Sequence, residues 1–254
     1  MKKTRTQNAI FNSIISILVQ ILKIIFAFAN RSIFIYYLGI VYLGLNGLFS
    51  SILSVLSLAE LGIGTAIAVS LYRPLVENNI AKINAYMQMY KRIYIKIASI
   101  VLILGIVISF FLPYLASDIQ ITSEIYYIYF LFLANSVISY LFTYKRILLD
   151  ADQKRYINVT TDFSIFVLGS IVQWVALFIT KSYILFLVIM ILMTIISNII
   201  ISVKVNKIYD FLSSDTIGEV TKTERNSFSK HVKGTFVSKI AETIVMSTDN
   251  ILMS

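Results

Sequence analysis

Residues 57–75 read SLAELGIGTAIAVSLYRPL, an apolar run that carries one carboxylate, Glu60, and ends at Arg73 and Pro74. A carboxylate facing hydrocarbon costs about 2.5–3.5 kcal/mol even on the lenient insertion scale, so Glu60 has to face other helices or water. That requirement makes the run part of a helical bundle within a membrane. The whole chain agrees: 58% of its residues are hydrophobic and 14% charged, where a soluble domain has roughly 25% charged residues. Mean hydropathy is +0.83. The predicted class is an all-α polytopic membrane protein.

Crossing the hydrocarbon core as helix takes about 20 mainly apolar residues. Six complete spans are expected, near 10–38, 41–71, 93–115, 125–144, 157–179 and 183–203, with a seventh starting at Thr235. The first has the basic start of a signal peptide, but it is long, holds Lys23 and lacks a small-residue cleavage site, so it reads as a retained span. The second is longer than a span needs and has Gly44, Gly47, Gly62 and Gly64 as places to bend. The expected organisation is a six-helix bundle over 1–203, a cytoplasmic linker over 204–234 and the start of a second bundle over 235–254.

Charge gives the orientation. Lys and Arg number 22 against 13 acids, and 19 of the 22 fall on alternate connections, with Lys181 alone on the other side. The positive-inside rule then makes the N-terminus cytoplasmic, and the basic excess records topology and not a nucleic-acid partner. Tyr36, Tyr37, Tyr42, Tyr114, Tyr126, Tyr127 and Tyr129 form the expected outer aromatic belt. Through the connection 76–92, Ile80, Ile83, Met87 and Tyr90, followed by Tyr94, recur at helical spacing, which predicts an amphipathic helix on the inner membrane surface.

Enzyme chemistry finds little support in these residues. The chain has no cysteine and one histidine, His231, in a basic connection, and no GxxxxGK[ST] motif for ATP. The outward connections offer little beyond Asp118, Glu124 and Lys181. No catalytic set, metal or cofactor is expected.

Polar residues instead line up within spans. Asn8, Asn12, Ser16, Gln20, Lys23 and Asn30 share one sector of the first helix, with Arg31 at its edge. Asn46, Ser50, Ser54, Ser57, Glu60 and Gly64 do so in the second, Asn158, Asp162, Gly169, Gln173 and Thr180 in the fifth, and Lys239, Glu242 and Asp249 in the seventh. Amides and hydroxyls alone suit helix-to-helix glue; the charges at Lys23, Arg31, Glu60 and Asp162 suit a watery cavity. Measured along the helices from Gly39, Lys23 lies about 24 Å deep and Glu60 about 31 Å, but Arg31 only about 12 Å. Lys23 is thus the expected ion-pair partner of Glu60. Arg31, without one, either snorkels outward or receives a phosphate. Lys23, Arg31, Asn30 and Asn46 form the candidate substrate-binding set, and Glu60, Lys23 and Asp162 the candidate coupling or ion-pair set.

The run RSIFIYYLGIVYLGLNGLFSSILSVLSLAELGIGTAIAVSLYRPLVENN, followed by KINAYMQMYKRIY, resembles the start of the polysaccharide biosynthesis flippases of the multidrug/oligosaccharidyl-lipid/polysaccharide exporter superfamily. KHVKGTFVSKIAETIVMSTDNILMS resembles the beginning of that family's second half. The resemblance implies translocation of undecaprenyl-diphosphate-linked oligosaccharide repeat units across a bacterial cytoplasmic membrane, by alternating access between two bundles. It carries over to Arg31, Glu60, Gly62, Gly64, Tyr72, Arg73, Pro74 and Asp249. Implied partners are the lipid-linked substrate, membrane lipids and polysaccharide assembly machinery. Family members have about twice as many spans, so the chain is expected to be an N-terminal portion. The competing readings are a multidrug exporter of the same superfamily, a membrane polysaccharide polymerase and a non-transporting fragment.

Overall fold

The structure, a computed structural model, describes residues 5–60, 62–115, 122–213 and 218–252, with the side chains of 5–9, 58–59, 213 and 239–252 left aside. It is helical, with no strand among the described residues. In chain order it forms α1 (Arg5–Leu38), α2 (Ile40–Leu56), a 3₁₀ turn (Ser57–Glu60), α3 (Ile63–Val76), α4 (Ile80–Ser109) and the single turn α5 (Leu112–Leu115). Then come α6 (Ser123–Ala151), α7 (Arg155–Thr180), α8 (Tyr183–Ile208), a second 3₁₀ turn (Asp210–Ser213) and α9 (Lys222–Leu252). Among the described residues, five stretches are long and apolar enough to cross a membrane: Ile10–Leu38, Ile80–Ser109, Ser123–Ala151, Arg155–Thr180 and Tyr183–Ile208. A chain with five such helices reads as a multi-pass membrane protein.

The expected second span is broken. α2 has 17 residues and α3 has 14, and between them the chain tightens into the 3₁₀ turn and passes through Gly62 at φ 81°. An L-residue held there costs roughly 1–2 kcal/mol, so glycine makes the break possible. Of the four glycines expected to bend this segment, Gly44, Gly47 and Gly64 lie inside regular helix, and only Gly62 breaks it. A Cβ on Gly62 would also stand 2.8 Å from Thr235 Cβ and 2.9 Å from Phe236 N, so α9 lies directly against the break.

The expected surface helix over 76–92 and the span over 93–115 are one helix. The Asn79 side chain accepts from Lys82 N at 3.0 Å and caps α4, which then continues unbroken to Ser109. Ile83, Met87, Tyr90 and Tyr94 are buried in the protein, and the Tyr90 ring lies 5.7 Å from Phe228 of α9. Apart from Ile80, which is exposed, this apolar face therefore meets other helices and not lipid. Helical spacing has no term for which apolar phase lies opposite.

α6 is the hub: it packs on α8 and α4, and also on α3, α7 and α2. In hydrocarbon, close backbone approach and buried hydrogen bonds hold helices together, since lipid tails are as apolar as leucine. Both occur between α4 and α6. Tyr129 donates its hydroxyl to the Gly105 carbonyl at 2.7 Å, and a Cβ on Gly105 would run into Leu133. Tyr129 is accordingly fully buried and is not part of an interfacial belt, whereas Tyr36, Tyr114 and Tyr127 are exposed. α1 lies at the edge, packing on α7 and α2, with Ile10, Ile14, Ile17, Ile21, Ile25 and Phe28 uncovered.

The polar stretch expected as a linker contains the ends of two helices. α8 runs on to Ile208, and α9 starts at Lys222 behind a reciprocal cap. Thr221 N and Oγ1 each donate to Glu224 Oε2 at 2.9 Å, and Glu224 N returns a bond to Thr221 Oγ1 at 3.3 Å.

Candidate functional site

The densest polar cluster joins α6, α7 and α8. Arg146 Nη1 bridges both carboxylate oxygens of Asp162, at 2.9 and 2.8 Å. Its Nη2 donates to Ser197 Oγ at 3.0 Å and to Asn198 Oδ1 at 2.9 Å, and Ser197 Oγ donates to Asp162 Oδ1 at 2.7 Å. One helix thus supplies the cation, the next the anion and the third the neutral dipoles that tie them. Nearby, Asn158 donates to the Arg146 carbonyl at 3.0 Å and Lys204 donates to Thr161 Oγ1 at 2.8 Å. The cluster forms part of the wall of a cavity of about 420 Å³, whose lining includes Ser139, Thr143, Gln173 and Thr194 alongside Phe166 and Met193. Of this set only Asp162 belongs to the sequence-derived coupling residues. Arg146 sits beside Lys145 in a basic pair and reads as loop charge; the signal that could have found it is that Asp162, inside a span, needs a cation.

On α1 the stripe divides. Asn12 donates to the Gln153 carbonyl at 2.8 Å and accepts from Tyr156 N at 2.9 Å. Asn30 donates to Ser170 Oγ at 3.0 Å and accepts from Trp174 Nε1 at 2.6 Å, while Phe26 stacks on the same indole at 6.1 Å. These amides join α1 to α7, so Asn30 serves helix packing here, with both its donor and its acceptor engaged. Lys23 and Arg31 belong to the flank beside them, with Ser16, Gln20 and Ala27 at helical spacing. Gln20, Ala27 and Arg31 are exposed, Ser16 and Lys23 half-buried, and neither cation has an ion-pair partner among the described residues.

Glu60 does not meet Lys23. It lies in the break between α2 and α3, and its Oε1 accepts from Tyr94 at 2.8 Å. Depth along two helices fixes height but not direction, and α1 turns toward α7 while the break packs on α4. Asn46 on α2 has a long 3.5 Å contact with Ser50 Oγ. Gly64 lies opposite Tyr94, a Cβ there standing 3.5 Å from its hydroxyl. Tyr72 and Arg73 are exposed on the last turns of α3, Arg73 pairing with Glu77 at 2.7 Å, and Pro74 is buried within the helix. The Asp249 side chain lies outside the described residues, as do those of Lys239 and Glu242.

The chain matches no family model, no curated protein and no solved structure.

Proposed function

We propose that the protein is a lipid-linked oligosaccharide flippase of a bacterial cytoplasmic membrane, crossing six times within this chain with its N-terminus cytoplasmic. The broken α2–α3 unit supplies the sixth crossing. The observation that carries the reading is the open cationic flank of α1. Lys23 and Arg31 stand in a membrane helix with no carboxylate beside them among the described residues, next to a face that α7 covers. Intramembrane charges of this kind mark substrate pathways. The arginine fork suits phosphate oxygens, and Lys23 adds a second cation deeper on the same flank. The residues of 31–79 that resemble polysaccharide flippases name the rest of the ligand, an undecaprenyl chain bearing a sugar repeat unit. Glu60, in the break of a discontinuous helix, is the residue we assign to the conformational cycle.

The test is flipping of a fluorescent undecaprenyl-diphosphate oligosaccharide by the protein in reconstituted vesicles, and export of repeat units in cells. Arg31→Ala and Lys23→Ala together should leave lipid-linked units on the cytoplasmic leaflet and lower the rate at least tenfold. Unchanged flipping by that double variant removes the role of the cationic flank.

A further inference from the structure

A second cationic hollow lies away from α1, where the start of α4 meets the approach to α9. It encloses about 810 Å³. Arg92 and Lys96 enter it from α4, four residues apart and hence on one face, and Arg225 enters from α9. None of the three has an ion-pair partner among the described residues. The nearby acid Glu224 is held by Lys82 at 2.6 Å, which leaves Glu219 as the one carboxylate on the rim among the described residues, against three cations. The floor is apolar: Met89, Ile93 and Phe228 line it and pack on the core beneath.

Height in the membrane follows from the sequence. Residues 97–115 contain no charged side chain. From Ile97 to the end of α4 at Ser109 the helix rises about 20 Å, and the uncharged residues 110–115 continue the apolar stretch toward the far side of the roughly 30 Å core. Arg92 and Lys96 therefore stand at the headgroup level, with Ile93 between them, and the exposed Ile100, one turn beyond Lys96 on the same face, lies toward the acyl region.

We propose that this groove binds the phosphate headgroup of an anionic phospholipid, with Arg92, Lys96 and Arg225 on the headgroup, the apolar floor of Met89, Ile93 and Phe228 beneath it, and its upper acyl carbons against the exposed Ile100, one turn deeper than Lys96. The bound lipid bridges α4 to α9 where, among the described residues, only Lys82 and Glu224 otherwise join them by charge. Planar guanidinium groups suit a phosphodiester, and basic pockets at this level attract anionic headgroups. The site is separate from Lys23 and Arg31, so it does not depend on what the protein transports.

The test uses the full chain in uncharged detergent, offered phosphatidylglycerol, phosphatidylcholine with the same acyl chains, or soluble glycerol phosphate, with retention read by native mass spectrometry. One phosphatidylglycerol should stay bound at least tenfold more tightly than phosphatidylcholine. Arg92→Gln with Arg225→Gln should abolish that preference, Arg92→Lys with Arg225→Lys should keep most of it, and Lys222→Gln should leave it intact. Equal retention of the two lipids, or full retention by the Gln double variant, overturns the proposal. Displacement of the lipid by glycerol phosphate at matched concentration overturns its lipid part and marks a free phosphate site. Should the Gln variant not fold, a salt series on the unaltered chain decides: retention must fall as the Debye length shrinks from about 10 Å toward 3 Å, and salt-independent retention overturns the proposal.

Discussion

Tyr94 donates its hydroxyl to Glu60 Oε1 at 2.8 Å, joining the middle of α4 to the break between α2 and α3. Gly64 lies beside the same hydroxyl, and on the other side of the break Gly62 touches α9. The break is thus fixed from two directions, by a hydrogen bond and by contact of a bare backbone. A carboxylate that looked unaffordable in an apolar run is half-buried within the protein and hydrogen-bonded.

Tyr94→Phe removes that donor and leaves the carboxylate half-buried without it. The expected loss of stability is about 1–3 kcal/mol. Glu60→Gln keeps an acceptor oxygen for Tyr94, and the expected loss is below about 1 kcal/mol. Thermal unfolding of both variants in detergent checks the order. If Glu60 also takes part in the transport cycle, Glu60→Gln will be stable yet inactive, whereas a purely structural Glu60 will leave transport intact.

The Arg146–Asp162 pair calls for a double-mutant cycle. The side chains are 21% and 36% exposed, so the pair is neither dry nor fully screened. Asp162→Asn keeps the oxygen that accepts from Ser197 but loses the charge, and Arg146→Gln leaves Asp162 without its cation. Each single change should cost about 1–2 kcal/mol, and the double change less than their sum. Additive losses in thermal unfolding would mean that the two residues are not coupled.

How far the sequence carried depended on what each signal measures. Hydropathy measures length in the apolar phase, and it placed 157–179 and 183–203 within a few residues of α7 and most of α8. It failed at 76–92, because an amphipathic face is the same pattern whether it meets lipid or protein; the buried Asn84, donating to the Phe211 carbonyl at 2.9 Å, has no counterpart in that pattern. Helical sectors put Asn12 and Asn30 together on the face that meets α7, where both are glue as amide chemistry alone favours; for Asn30 this departs from the substrate-binding role read for it, and Gln20 of the same sector is exposed. Pairing was the least legible level. Lys23 with Glu60 was argued from depth, whereas Arg146 with Asp162 depends on how α6 and α7 face each other, which no single-helix count contains.

Glu224 ties the start of α9 to α4 in a pH-dependent way. Partial burial pushes its pKa up, but the Lys82 ammonium and the Thr221 bonds outweigh that and hold it below the usual carboxylate value of 4.5. A depressed folded pKa means a contribution that is complete above 4.5 and lost as pH falls through the lower folded value. Hydrogen exchange of the Arg225 amide, which donates to the Thr221 carbonyl at 3.0 Å, should lose protection in that acidic window after correction for intrinsic rates. Glu224→Gln should flatten the dependence; protection that stays constant in the unaltered chain through the acid range would refute it.

The route of the α2–α3 unit can be read with single cysteines, since the chain has none of its own. The two helices would rise about 26 and 21 Å, each short of the roughly 30 Å core, so the unit either crosses once with a bend or dips in and returns. Charge separates the alternatives. A single crossing places the connecting basic residues 19 to 1, whereas a re-entrant unit inverts every later connection and places them 16 to 4. The more polarised arrangement is the one expected from the positive-inside rule. Cysteines at Asn78 and Gln153 should then react with a membrane-impermeant thiol reagent only from the cytoplasmic side, and those at Gly39 and Ser182 only from outside. Labelling of Gly39 and Asn78 from the same side would establish the re-entrant path, and with it five crossings in place of six.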